Sequence, residues 1–210
     1  MTLPRIRRAG ERGLLLELPA LADAVAMRAA LERAPIPGVT DAVSGARTVM
    51  IRFDPKVTSR AAVEAAVLAL EVPAGLGAAG QGEPVEIPVV YDGPDLPETA
   101  RLLGLSPEAL VAEHTRRPWV CAFGGFAPGF GYLASEGWMR TVPRLDSPRT
   151  RVPAGAVGLA GEFSGVYPRE SPGGWRIIGH TDLAMWDLAR TPPALLTAGN
   201  AVRFIEADWS

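Results

Sequence analysis

His114 and His180 are the only histidines in this chain, and histidine is the side chain best placed to move protons near neutral pH. His114 lies in AEHTRRP, at the expected end of a helix. It could serve there as a general acid or base, or as a substrate hydrogen-bonding group. A histidine in that place also suits the helix dipole, and spacing alone favours this structural role. His180 follows a strand, on the face opposite Ile177 and Gly179, and points either into a cleft or into solvent. Tyr132 and Tyr167 each adjoin a glycine or proline turn; buried tyrosines usually pack and satisfy one hydroxyl. Arg149 and Arg151, in SPRTRVPAG, could grip a carboxylate with two parallel hydrogen bonds, or simply be solvated. Asp146 and Glu162 are a conceivable carboxylate pair, but no spacing joins them.

Self-sufficient catalytic signatures are missing from the sequence. A phosphate loop GxxxxGK[ST] needs lysine after glycine; Lys56 is the one lysine, and it lies between Pro55 and Val57. GGFAPGFG does not match GxGxxG. EFSGV around Ser164 lacks the first glycine of a GxSxG nucleophile elbow. There is no HExxH, and the two histidines are far apart, so no metal is expected. Cys121 is alone, which excludes an internal disulfide and a cysteine-based zinc site.

The elements that must position these residues cluster in Arg151 to Thr181. That stretch carries Gly155, Gly158, Gly161, Gly165, Gly173, Gly174 and Gly179, with Pro153, Pro168 and Pro172 among them. Val157 and Leu159 alternate with small residues, and Trp175, Ile177 and Ile178 follow a Pro-Gly-Gly turn, which predicts short strands joined by specified turns. The glycines admit either close packing at a barrel corner or a ligand site walled by backbone. The sharper expectation is a concave site with Tyr132, Tyr167 and Trp175 around it.

Upstream, Ile6 to Leu18 reads as one strand interrupted at Gly13. A helix over Leu21 to Arg33 stops at Pro35, and a strand pair spans Val39 to Phe53. Thr58 or Ser59 caps a helix to about Leu70. This predicts a β-α-β-α layer. From Val72 to Pro84 the sequence turns Gly- and Ala-rich without periodicity, the best boundary in the chain. Beyond it are a strand at Val85 to Tyr91, helices at Asp95 to Leu103 and from Ser106 to about His114, a strand at Trp119 to Phe123, and then short strands and turns to a last strand at Ala201 to Ile205. The 210 residues are 48% hydrophobic with net charge −2. Such a balance gives no electrostatic footprint for nucleic acid or an anionic membrane. The apolar run LLLEL is too short for a signal peptide, and no stretch approaches a membrane span. A soluble, cytoplasmic protein is expected.

Taken together, GGFAPGFGYL at 124–133, PR at 143–144, SPRTRVPAGAVGLAG at 147–161, SGVYPRESPGGWRIIGHT at 164–181 and LLTAGNAVRF at 195–204 resemble, in order and spacing, the 5-oxoprolinase B-subunit family. This family is also called allophanate hydrolase subunit 1 or the Kip kinase-inhibitor family. The resemblance implies an α+β fold, with a small N-terminal α/β domain at 1–83 and a cyclophilin-like β-barrel domain at 84–210. It implies a C-type partner (allophanate hydrolase subunit 2) and an A-type partner. Their complex would hydrolyse 5-oxoproline to glutamate with ATP as co-substrate. This chain alone would hold no metal or organic cofactor and would be inactive by itself. The alternatives are a regulator that inhibits a sensor histidine kinase, and a component of a related urea- or allophanate-type amidohydrolase or carboxyltransferase.

The resemblance assigns no catalytic residue; the candidates from residue type and placement are His114, Tyr167 and His180. Contacts to a lactam or amide substrate are expected from Phe126, Pro128, Gly129, Tyr132, Arg149, Gly161, Phe163, Gly165, Gly173, Gly174 and Trp175. Two departures bear on the substrate. The family usually reads AGGQTGIYP where this chain has AGEFSGVYP, so Glu162, Phe163 and Ser164 replace glycine, glutamine and threonine. It commonly reads IGRTP where this chain has IGHTD, so His180 and Asp182 replace arginine and proline.

Overall fold

The structure is a computed structural model that describes residues 3–72, 75–76 and 83–208. The chain divides into two compact units, residues 1–81 and 82–210. Most of the Gly- and Ala-rich boundary stretch expected over 72–84 lies outside the described residues.

The first unit runs β1 (Arg5–Arg8), β2 (Gly13–Glu17), α1 (Leu21–Arg33), β3 (Val39–Ser44), β4 (Thr48–Phe53) and α2 (Arg60–Leu68). Its sheet is antiparallel in the order β1-β2-β4-β3. The expected single strand over Ile6 to Leu18 is therefore a hairpin, and the order is ββαββα. Gly10, at φ 69°, takes the left-handed conformation in the turn. At Gly13 a Cβ would lie 2.5 Å from the Ala9 carbonyl oxygen, so the tight return of the chain requires glycine there. Alternation decides which face is buried. Leu14 and Leu16 of β2 and Val49, Ile51 and Phe53 of β4 pack with Met27 and Leu31 of α1 and Val63 and Val67 of α2. Ser59 caps α2, its hydroxyl accepting from the Ala62 N–H.

The second unit runs β5 (Val85–Val89), α3 (Leu96–Leu102), α4 (Pro107–Arg116), β6 (Trp119–Gly124), β7 (Gly131–Ala134), β8 (Arg149–Val152), β9 (Ala156–Ala160), β10 (Phe163–Val166), β11 (Ser171–Gly173), β12 (Arg176–His180) and β13 (Ala201–Glu206). Seven strands form one sheet in the order β12-β9-β10-β7-β6-β13-β5, and β8 pairs with β11 beside it. The sheet curls until its edges meet. Beyond β5, Val90 and His180 exchange both backbone hydrogen bonds at 2.9 Å, and the Gly93 and Asp95 N–H groups donate to the carbonyls of Ile178 and Ile177. The result is the nearly closed barrel that the family resemblance implies. The seam needs glycine twice. A Cβ at Gly93 would fall 2.3 Å from the Ile178 carbonyl carbon, and one at Gly179 2.3 Å from the Val90 carbonyl oxygen. Closure removes edges that would otherwise present unpaired backbone groups.

Two apolar clusters flank the barrel wall. The larger joins Ile87, Trp119, Cys121, Leu133, Val157, Leu159, Val166, Ile178 and Phe204 with Leu96 of α3 and Leu110 of α4. The smaller joins Phe130, Val152, Ala156, Ala160, Tyr167, Trp175 and Ile177. The alternation along β10 separates them: Val166 belongs to the first, while Phe163 packs against the second.

Candidate functional site

Most of the residues assigned to substrate converge on the smaller cluster. Phe130 stands edge-on to Tyr132, Tyr167 and Trp175, with ring centroids 5.1, 5.4 and 5.2 Å away, and Phe163 stands edge-on to Tyr132 at 5.5 Å. These geometries suit the aromatic quadrupole. Glycine makes the packing feasible: a Cβ at Gly165 would sit 3.0 Å from the Phe130 ring and 3.1 Å from Trp175, and one at Gly173 would sit 2.2 Å from the Tyr167 hydroxyl oxygen. Tyr167 and Trp175 are almost wholly buried. They are thus the floor of a packed aromatic face, where an open cleft lined by them was expected. Tyr132 and Phe163 are half-buried, and Phe126 and Pro128 are exposed.

Phe126 is unusual. It has φ 64°, the one positive-φ non-glycine residue described, and the Ala127 N–H donates to the Gly125 carbonyl across it at 2.6 Å. That is a γ-turn of the strained hand. Its ring, 59% exposed, stands edge-on to Phe130 at 5.4 Å and to Tyr167 at 6.0 Å. A strained backbone that holds a large aromatic in solvent makes Phe126 a candidate for a functional role. Gly129, at φ 83°, abuts Met185 and Trp186 and closes the same loop.

Arg149 does grip a carboxylate with its fork, but the carboxylate is internal. Its two terminal nitrogens donate to Asp95 Oδ2 at 2.8 Å and Oδ1 at 2.7 Å, and Asp95 Oδ2 also accepts from the Ile177 N–H at 2.7 Å. Asp95 precedes α3, where an aspartate reads as a local helix cap; its side chain makes no cap bond. That local signal concealed its long-range role. Arg151 pairs with Glu170 at the surface. Gly161 turns β9 into β10 at φ 58° and exchanges backbone hydrogen bonds with Val142.

The two histidines are elsewhere. His114 is fully buried within the larger cluster; its Nδ1 is 2.7 Å from the Tyr91 hydroxyl and its Nε2 2.8 Å from Ser164 Oγ. Phe204 stacks on its ring at 4.1 Å. Burial pushes its pKa down to about 3, so the imidazole is neutral at pH 7, and the charge–dipole role expected at the helix end is absent. Burial and, secondarily, Glu206 push the Tyr91 hydroxyl upward. Tyr91 and Ser164 were not singled out from sequence as partners of His114, because no spacing rule connects them. His180 ends β12, with Nδ1 2.8 Å from Asp92 Oδ1; a cationic arginine there could meet the same carboxylate. Asp146 is exposed, and so is Glu162 in the β9–β10 turn. Among the described residues, no group of three or more His, Cys, Asp or Glu could hold a metal ion. No described helix is long and apolar enough to cross a membrane.

Comparison with known proteins agrees with this architecture. The family model of the carboxyltransferase domain, subdomain C and D, matches residues 4–196. The B subunit of 5-oxoprolinase from Bacillus subtilis is 48% identical over 124 residues, which is 58% of this chain and 52% of that protein. The chain thus spans about half the length of that relative. The crystal structure of TTHA0988 superposes with a TM-score of 0.77 at 41% identity, covering 95% of this chain and 41% of the other. The K. lactis urea amidolyase shares the fold, with a TM-score of 0.70 at 18% identity over 97% of this chain and 15% of its own. The motif resemblance to the 5-oxoprolinase B-subunit family is borne out by these relatives, and the chain belongs to the carboxyltransferase domain, subdomain C and D, family.

Proposed function

We propose that this chain is the B-type subunit of a heteromeric, ATP-dependent 5-oxoprolinase, active only with partners of the A and C types. The observation that carries this reading is the 48% identity to the Bacillus subtilis protein named as the B subunit of 5-oxoprolinase. The geometry is compatible with it. The aromatic face and its glycines offer a surface for a small ring, while His114 is sealed in the core. The reaction opens a lactam whose amide resists hydrolysis. ATP activates it by transferring its γ-phosphoryl group to the carbonyl oxygen, the β–γ bond breaking to release ADP. Water adds to the carbonyl carbon, the C–N bond breaks with its electron pair passing to nitrogen, and a second water releases phosphate from the resulting acyl phosphate. The part assigned to this chain is to place the lactam and to stabilise negative charge through backbone N–H groups. The test is assembly of the chain with its A- and C-type partners, followed by measurement of glutamate formed from 5-oxoproline with and without ATP. ATP-dependent glutamate supports the reading; its absence from a complete, folded assembly overturns it.

A further inference from the structure

The first unit carries a cavity of about 360 Å³ at one end of its sheet, and its charged lining residues are Arg12, Arg52 and Lys56 with Asp41 and Asp54. That volume lies in the range of small-molecule sites. The three cations come from separate segments: Arg12 from the turn into β2, Arg52 from β4, and Lys56 from the connection between β4 and α2. Each segment is fixed through its backbone. The Phe53 N–H donates to the Arg12 carbonyl at 3.0 Å, and the Asp54 N–H donates to the Gly38 carbonyl at 2.8 Å. The Lys56 N–H donates to Asp54 Oδ1 at 2.9 Å.

A β-bulge shapes the same corner. Val39 pairs with Phe53 and Asp41 with Arg52, so β3 carries one extra residue, Thr40, which also lines the cavity. Bulges bend a strand and re-aim its side chains, and they are over-represented beside functional sites. Other arginines of this unit have acceptors: Arg7 has Glu17, Arg28 has Glu32, and Arg60 has the Gly10 and Glu11 carbonyls. Arg12, Arg52 and Lys56 make no side-chain hydrogen bond or ion pair among the described residues, and neither does Asp41, although it lies opposite Arg52 in the register. Opposed charges across a strand pair normally attract one another into contact; here both stay available at the cavity.

We infer that this cavity binds a small dicarboxylic amino acid, its three cations taking the two carboxylates and Asp41 taking the ammonium. The charge patterns are complementary. Three cations against the carboxylates of Asp41 and Asp54 leave the cavity one net positive charge, and a ligand with two carboxylates and one ammonium carries one net negative charge. The fork of an arginine matches a carboxylate bidentately. Asp54 already accepts the Lys56 N–H, so Asp41 is the acceptor open to an ammonium. A phosphate, or a dicarboxylate without an amine, would leave Asp41 facing a like charge. Glutamate, the product of the proposed reaction, belongs to this class. The inference stands without that reading, because the cavity lies in the first unit and the aromatic face in the second.

The test uses the full chain with isotopically labelled lysine, in which Lys56, the one lysine, gives a single side-chain NMR signal. L-Glutamate is expected to shift that signal saturably, and calorimetry gives its affinity. Glutarate, which lacks the ammonium, and 4-aminobutyrate, which lacks the α-carboxylate, should each bind ~10-fold more weakly, the loss of one charge-assisted contact. Arg52→Gln should weaken glutamate binding by a similar factor with unchanged melting temperature, since Arg52 is exposed. Asp41→Asn should weaken glutamate and not glutarate. Absence of a saturable shift, equal affinity for glutamate and glutarate, or wild-type affinity in Arg52→Gln overturns the inference. Tighter binding of inorganic phosphate than of glutamate also overturns it, since the cavity would then be a simple anion site. None of these readouts depends on turnover, so an assembly that hydrolyses no 5-oxoproline would sink the proposed function and leave this inference standing.

Discussion

Arg149 and Asp95 lie 54 positions apart, yet they meet through two parallel hydrogen bonds of 2.8 and 2.7 Å at the seam of the barrel. Asp95 also accepts the Ile177 N–H at 2.7 Å, so one carboxylate ties the start of α3 to β8 and β12. The arginine side chain is about one-third exposed and the aspartate one-tenth. Asp95→Ala should therefore cost less than breaking a fully buried pair, about 2–3 kcal/mol. A double-mutant cycle with Arg149→Ala, read by urea unfolding, should show coupling between the two changes. Strict additivity would mean that the pair does not hold the seam.

Closure of the barrel makes Gly179 intolerant. A Cβ there would lie 2.3 Å from the Val90 carbonyl oxygen and 2.9 Å from Val89 Cγ1. Gly179→Ala must displace backbone and should cost about 2–3 kcal/mol. Gly161→Ala meets nothing within 4 Å, and only its φ of 58° opposes it, so about 1 kcal/mol is expected. Thermal melts of the two variants should rank in that order.

His114 gives stability a pH dependence. Its pKa falls from an ordinary 6.5 to about 3 on burial, so the unfolded chain binds more protons than the native one between these values. Stability from this group is fully present above pH 6.5 and declines as pH falls, by up to about 1.4 kcal/mol per pH unit. Urea unfolding between pH 7 and 5 should show that loss, and His114→Gln should lack this contribution. Identical pH slopes in both proteins would contradict a buried, neutral His114.

Cys121 is fully buried, and burial pushes its thiol up to about 12. A thiol without thiolate character and without access reacts slowly. A disulfide reagent should modify it only as fast as the chain unfolds, and Cys121→Ala should retain full activity in the assembled enzyme. Rapid labelling of the native chain would refute the buried assignment.

The sequence revealed local elements well and tertiary partners poorly. The helix over Leu21–Arg33 and the Ser59 cap follow from spacing and cap chemistry, which act within a few residues. The hairpin of β1 and β2 was missed because the turn at Gly10 carries few of the usual loop residues. Arg149 was legible as a carboxylate binder, whereas Asp95, 54 positions away, was read only as the first residue of a helix. His114 looked like a helix-end cation because nothing in AEHTRRP signals that Tyr91 and Ser164 enclose it in the larger cluster. Phe126 came from the family motif; its strained turn is a property of the folded loop. The substitution at Phe163 is absorbed by edge-on packing against Tyr132.

The central claim is that activity belongs to an assembly and not to this chain by itself. The measurement is an omission series: this chain, its A-type partner and its C-type partner, purified separately and mixed singly, in pairs and all together with 5-oxoproline and ATP. Glutamate and ADP should appear in equal amounts in the complete mixture and in no mixture lacking this chain. Turnover by the isolated chain, or equal turnover with this chain omitted, would contradict the account.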